Sequence, residues 1–309
     1  MLAVRDYCFR QYGVKLGARE ARIWGTSRPN YLNCLKEWIL HRKSFFVVSD
    51  NLQEVVEELR RWKPDYVYGY SSCILSLSKY LVEKNLSVPG VKLVVCTAEQ
   101  VLPTHKKVIA CAFESRVVEE YGSTEFDILG FEDRNGNLRL VNPWLVVESP
   151  DNYILVTDVY RSSQSFVRYK IGDIGKVEEK SGGEFGSTLV VEELQGRIGN
   201  RYVYGEGKTK FHSSEFSRVL NDYFDNSKDI FDFIVVQDDF GQCEVHVSSE
   251  PVIGFTQFCE RLTKNIYRRT TVRLRVFPGT IGRLDRFKGK RSYFIQNIQC
   301  HERNAEGET

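Results

Sequence analysis

Apolar positions along the first third of the chain fall into two alternating rhythms. "SFFVVSD" (Ser44–Asp50) is a strand-like run, and "NLQEVVEELRRW" (Asn51–Trp62) repeats its apolar positions at helical spacing. Asn51 is the predicted N-cap of that helix. "DYVYGYSS" (Asp65–Ser72) is strand-like again and is expected to turn at Gly69. "SCILSLSKYLVEKN" reads as a helix, "VKLVVCTAEQ" as a buried strand ending in small residues, and "LPTHKKVIACAFE" as a helix with Pro103 near its start. Such alternation predicts a mostly parallel sheet covered by helices. Ligands bind at the carboxyl ends of such strands. "TAEQ" (Thr97–Gln100) and "YGSTE" (Tyr121–Glu125) both follow strand candidates, so they are expected to lie side by side.

From about residue 130 the rhythm changes. "NLRLVNPWLVVE", "YILVTDVY", "SFVRYKIGDIGKVEE" and "STLVVEELQG" are short alternating runs joined by Gly, Asn and Asp, which predicts a small antiparallel sheet or barrel. After "GRIGN" a third pattern begins. "SEFSRVLNDYF" and "GFTQFCERLTKNIYRR" are helical, "FDFIVVQDDFGQCEVHVSSE" is a hairpin turning near Asp239–Gly241, and "TVRLRVFPG" is a strand. The expected organisation is α/β: a large domain over 1–196, with an α/β part to about 128 and a β-rich part over 129–196. A small α+β domain follows over 197–300, and 301–309 is expected to be a disordered tail.

Composition narrows the function. The chain has 309 residues, 43 basic and 41 acidic, for a net charge of +2. Such a balance does not recruit nucleic acid. No apolar run is long enough to span a bilayer, and the first residues carry charges where a secretory signal needs an apolar core. A cytoplasmic protein is expected. The eight cysteines show no C-x-x-C pair and the five histidines no metal spacing, so buried reduced thiols are expected and zinc is not.

Four motifs carry candidate chemistry, and each has an ordinary structural explanation beside it. In "YGSTE" a glycine permits close backbone approach, a threonine offers a hydroxyl to phosphate, and a glutamate suits Mg2+; a capped strand-end turn reads the same way. In "RYKIGD" Asp173 follows a glycine and is placed to accept ribose hydroxyls, or to cap its own turn. "LQGRIGN" sets Arg197 between two glycines at the domain boundary, as a hinge or a plain linker. "RFKGKRSYF" sets Lys290 on a basic loop, which is most often simply solvated.

Their order along the chain resembles the signatures of the adenylate-forming superfamily, in particular the phenylacetate–CoA ligase family and its CapK-type relatives of capsular polysaccharide biosynthesis. The resemblance runs from about Trp24 to Phe294. It rests on "VYGYSS", "TAEQ…EEYGSTE", "ILVTDVY…FVRYKIGDIG" and "LQGRIGNRYVY". It implies that Ala98 and Glu99 contact adenine, that Tyr121 and Gly122 form the strip beside it, and that Thr124 meets the α-phosphate. It further implies that Glu125 holds magnesium, Asp173 the ribose, that Arg197 serves at the domain junction, and that Lys290 acts in adenylation from a C-terminal lid. The implied reaction activates a small carboxylic acid with ATP through an acyl-adenylate and passes the acyl group to coenzyme A or another acceptor. AMP, ATP, Mg2+ and coenzyme A are the implied ligands.

The family's glycine- and threonine-rich phosphate loop is not found. "WGTSRPN" lacks the glycines, and "GEGKTK" (Gly205–Lys210) carries Tyr202 where a Walker loop needs its leading glycine. Each missing charge-assisted bond to phosphate is worth about 1.5–3 kcal/mol. The expectation is therefore a chain lacking the N-terminal part of the family's large domain, completed by another chain or by upstream sequence. The alternative is a catalytically degenerate nucleotide- or partner-binding remnant. A homodimer and a complementing N-terminal chain are the partners left open. "VYGYSS" supplies Tyr66, Tyr68 and Tyr70, which read equally as an aromatic wall for the acid or as a packed strand–helix corner.

Overall fold

The computed structural model describes residues 2–24, 35, 37–47, 51–99, 101–181, 187–197, 202–227, 229, 231–282, 284 and 293–298. The chain divides into two units, Met1–Ile198 and Gly199–Thr309.

The first unit begins with helix α1 (Leu2–Arg10), then strands β1 (Glu20–Trp24) and β2 (Arg42–Phe46). Helix α2 (Leu52–Trp62), β3 (Tyr66–Tyr70), α3 (Ser71–Glu83), β4 (Leu93–Thr97), α4 (Pro103–Phe113) and β5 (Arg116–Ser123) follow in alternation. These five strands are parallel, in the order β2-β1-β3-β4-β5. Helices α2, α3 and α4 cover one face through Val55, Leu59, Ile74, Leu77, Ile109 and Phe113. Helix α1 covers the other through Val4, Cys8 and Phe9, against Tyr66, Tyr68 and Val95.

Strands β6 (Asp127–Glu132), β7 (Leu138–Leu140), β8 (Leu145–Glu148), β9 (Tyr153–Asp158), β10 (Tyr169–Ser181) and β11 (Ser187–Arg197) are antiparallel. The sequence reading expects them to form a sheet of their own. Instead they extend the parallel sheet across β5–β6 into one eleven-stranded sheet. Backbone groups on the far edge of β5 need partners, and β6 supplies them.

In the second unit, β12 (Tyr202–Tyr204) pairs with β13 (Lys210–His212). Helix α5 (Ser214–Asp225), the hairpin of β14 (Phe233–Asp239) and β15 (Gln242–Val247), helix α6 (Phe255–Thr270), β16 (Arg275–Ile281) and β17 (Phe294–Gln296) complete it. Four strands run in the order β16-β15-β14-β17. Gln237 is fully buried and ties the two small sheets together. Its amide donates to the Tyr204 carbonyl at 2.7 Å and its carbonyl accepts from the Tyr204 N–H at 2.9 Å.

Two local expectations are corrected and one open reading is narrowed. Asn51 does not cap α2; its side chain makes no capping bond and donates backward to the Phe46 carbonyl at 2.8 Å. Gly69 does not turn the chain. Strand β3 runs straight through it, and a Cβ there would sit 2.0 Å from the Ile23 carbonyl oxygen. The glycine lets β1 and β3 meet. Tyr66 and Tyr68 are buried against α1 rather than forming an open wall. Helix α1 and strand β1 were not singled out from the sequence, because their polar and charged residues blur the periodicity.

Glu20 shows how a charge can hold a parallel edge together. It is the register partner of Arg42 on β2 and of Tyr66 on β3. Its carboxylate accepts from Arg22 at 2.5 Å, Arg42 at 3.0 Å and the Tyr66 hydroxyl at 2.9 Å. Burial pushes its pKa up, but the two arginines and the tyrosine outweigh burial and hold it below the usual glutamate range. A depressed carboxyl pKa stabilises the fold above the unfolded value, and that contribution is lost as pH falls through the folded pKa. Glu20→Gln is expected to cost about 3 kcal/mol at neutral pH, because two arginines lose their partner. Urea melts at stepped pH check this. Below about pH 4.3, the ordinary glutamate value, the gap between the two proteins should narrow.

Candidate functional site

Strand β5 ends in "EEYGS", and the chain reverses there into β6. Ser123 and Asp127 are the last register pair. A Cβ on Gly122 would lie 2.1 Å from the Asp127 carbonyl oxygen, so the reversal admits only glycine. The Arg161 guanidinium donates to the Glu125 carbonyl at 2.8 Å and steadies the turn. Thr124 is exposed and Glu125 half-buried.

Parallel pairing brings the end of β4 to the same place. Thr97 and Glu120 are register partners, so Ala98 and Tyr121 each follow one member of a pair. Ala98 takes a left-handed backbone, φ +67°. The Glu99 carboxylate accepts from the Ser72 N–H at 2.9 Å and its carbonyl from the Ser71 hydroxyl at 2.9 Å. That carboxylate therefore holds the first turn of α3.

Asp173 arrives from the antiparallel half. The pairing of β10 with β9 slips between Lys170 and Ile174, and Gly172 within this bulge has φ +88°. The bulge re-aims the strand. The Tyr121 hydroxyl donates to Asp173 Oδ2 at 3.0 Å, across 52 residues of sequence. Asp173 is also the register partner of Arg197 on β11. Ala98, Glu99, Tyr121, Gly122, Thr124, Glu125, Asp173 and Arg197 all belong to the first unit. A hydrogen bond and strand register link Tyr121, Asp173 and Arg197 in turn, and Ala98 follows the register partner of Glu120. Lys290 lies outside the described residues, as does the side chain of Arg197.

Two acids at the centre of the motif have roles that sequence reading did not assign. Glu119 and Glu120 are adjacent on a strand, so they point to opposite faces. Glu119 pairs with Lys106 of α4 at 2.7 Å. Glu120 turns toward α1, where it accepts from the Tyr68 hydroxyl at 2.6 Å and lies 4.0 Å from Arg5. Burial pushes the Glu120 carboxyl above its usual range against the pull of Arg5. The signal was present in strand alternation, but the partners on α1 and α4 were not legible.

A single half-buried glutamate at such a turn suits Mg2+, which keeps waters and takes one or two carboxylates plus phosphate oxygens. Glu125 fits that role. Among the described residues no cluster of three or more His, Cys, Asp or Glu forms a metal cage of its own.

No family model matches the chain. Protein CapK of Staphylococcus aureus is 22% identical over 234 residues, covering 71% of this chain and 50% of CapK. The chain thus spans about half the length of this curated relative. Among solved structures, 2-hydroxyisobutyryl-CoA ligase in complex with R3-HIB-AMP superposes with a TM-score of 0.72 at 16% identity, covering 96% of this chain and 69% of that one. The anthranilate CoA ligase AuaEII in complex with anthranoyl-AMP gives 0.60 at 13%, covering 91% and 58%. The amide bond synthetase McbA from Marinactinospora thermotolerans gives 0.59 at 15%, covering 90% and 61%. At such identities the likeness establishes the fold.

Two substitutions separate the structural duties of this site from its binding duties. Ala98→Gly relieves a left-handed alanine at about 1–2 kcal/mol and loses about 0.5–1 kcal/mol to chain entropy, so stability should rise by up to about 1 kcal/mol. Glu99→Ala should cost about 1 kcal/mol through the lost acceptor at α3. Thermal melts check both signs.

Proposed function

We propose, from the premise that this chain has the fold of the adenylate-forming enzymes, that its first unit binds the adenylate of an activated carboxylic acid. Tyr121, Gly122 and the Ala98–Glu99 turn form the adenine strip. Asp173 accepts the ribose hydroxyls. Thr124 meets the α-phosphate, and Arg197 serves the junction with the second unit. Lys290 assists adenylation from the second unit. In that step a carboxylate oxygen bonds to the α-phosphorus of ATP and the bond to pyrophosphate breaks. The acyl group then passes to the thiol of coenzyme A or to another acceptor, as its bond to the phosphate oxygen breaks and AMP leaves. Glu125 would hold Mg2+, which would supply charge neutralisation there. Similarity to CapK supports capsule or exopolysaccharide biosynthesis as the setting. No helix among the described residues is long and apolar enough to cross a membrane.

One observation carries the reading: the hydroxyl of Tyr121 fixes Asp173 Oδ2 at 3.0 Å. This bond joins the parallel and antiparallel halves at the residues assigned to adenine and ribose. It leaves the second carboxylate oxygen for a ligand hydroxyl. Asp173→Asn keeps an oxygen to accept from Tyr121 but loses the charge. It should weaken AMP by about 1.5–3 kcal/mol with little change in melting temperature. Tyr121→Phe should instead lower stability by about 1 kcal/mol. Titration calorimetry with AMP, beside thermal melts, checks the pair. Unchanged AMP affinity in Asp173→Asn refutes the ribose assignment.

A further inference from the structure

Strand β8 ends the antiparallel side of the large sheet, and among the described residues no strand pairs with its far side. The Trp144 carbonyl accepts from the Val159 N–H at 3.0 Å. Backbone groups alternate in direction along a strand, so Trp144 and Val146 turn theirs toward β9, and Leu145 and Val147 turn theirs outward. The Leu145 N–H is used within its own turn, by the Asn142 carbonyl at 3.3 Å. The Leu145 carbonyl and both backbone groups of Val147 stand at an open edge, which is a template for another strand.

The side chains divide between two faces. Leu145 and Val147 pack into the core cluster of the antiparallel strands. Trp144, Val146 and Glu148 lie on the opposite face by the two-residue repeat. Trp144 is 51% exposed and Val146 49%, and next to them Val159 is 62% and Tyr160 73% exposed. The Trp144 and Tyr160 rings lie 4.9 Å apart, so the apolar surface is continuous. Single exposed apolar side chains are ordinary, but four grouped beside an open edge mark an interaction surface. Glu148, at the end of the same face, pairs with Arg168 at 3.5 Å.

We propose that β8 is an interface between two copies of this chain, paired antiparallel about a twofold axis at Val146. In that register the strand complements itself. The Val147 N–H of each copy donates to the Leu145 carbonyl of the other, and the two Val146 side chains meet at the axis. Each Trp144 ring lies across from the Glu148–Arg168 ion pair of the other copy, a charge arrangement in which a guanidinium faces an indole. No two like charges oppose each other. Neighbouring registers lose these features. A shift of one residue puts the two apolar patches on opposite faces of the sheet. An axis at Val147 sets Val146 against Glu148, and an axis at Leu145 brings Pro143, which has no N–H, into the ladder. Two ladder bonds do not hold a dimer by themselves. Burial of four apolar side chains from each copy drives the association, and the ladder sets its register.

The test uses the full chain. Sedimentation velocity over a range of concentrations should show a reversible monomer–dimer equilibrium. Val146→Lys sets two lysines face to face at the axis and should weaken association by about tenfold or more, with the melting temperature of the monomer unchanged. Directly opposed residues whose backbone groups face away from the partner strand come close enough for a disulfide. Val146→Cys should therefore form a covalent dimer under mild oxidation, and Val82→Cys, equally exposed on α3, should not. A protein that stays monomeric at every concentration overturns the inference. So does a dimer whose strength Val146→Lys leaves unchanged, or one in which Val82→Cys cross-links as readily as Val146→Cys.

Discussion

At Gly122 two backbones approach more closely than any side chain permits, since a Cβ would lie 2.1 Å from the Asp127 carbonyl oxygen. Much of the first unit depends on that approach. It closes the β5–β6 pairing, whose register shifts between Tyr121 and Gly122, and so joins the parallel strands to the antiparallel ones in one sheet. The junction brings β10 within reach of β5. Only then does the Tyr121 hydroxyl meet Asp173.

Charged residues fasten the layers around this junction. Glu119 and Glu120 are consecutive, and each reaches a different helix, α4 through Lys106 and α1 through Arg5. Glu20 does the same within the sheet, joining β1 to β2 and β3. Buried carboxylates are tolerated only where partners replace water. These partners come from distant sequence, so the sheet, α1 and α4 are mutually specified. The second unit uses a neutral device for the same end, the fully buried Gln237 between its two small sheets.

The site is divided between groups that hold structure and groups left for a ligand. The Glu99 carboxylate serves α3, and Glu120 serves the α1 face. Tyr121 aims Asp173. Thr124 and Glu125, at the tip of the turn, keep their side chains available. A motif of five or six polar residues thus contains both side chains that hold the scaffold and side chains left at the surface, and composition does not separate them.

The sequence by itself determined the alternation of strands and helices from β2 to Phe113, the later strand-rich stretch, and the final α+β pattern. These are local periodicities, set by which side chains must leave water. It also determined that "TAEQ" and "YGSTE" share a neighbourhood, because both follow strands expected to run parallel in one sheet. Tertiary structure decided the rest. That β6 to β11 join the first sheet follows from the need of an edge strand for partners, which no window of sequence records. That Gly69 permits strand contact and Gly122 permits a reversal is visible only once the opposing carbonyl is in place. That Asp173 faces Tyr121 depends on a bulge at Gly172 and on pairing across a separation of 52 residues. Side-chain chemistry is written in the sequence, but which atoms meet is set by long-range pairing, and pairing is decided by the whole sheet at once.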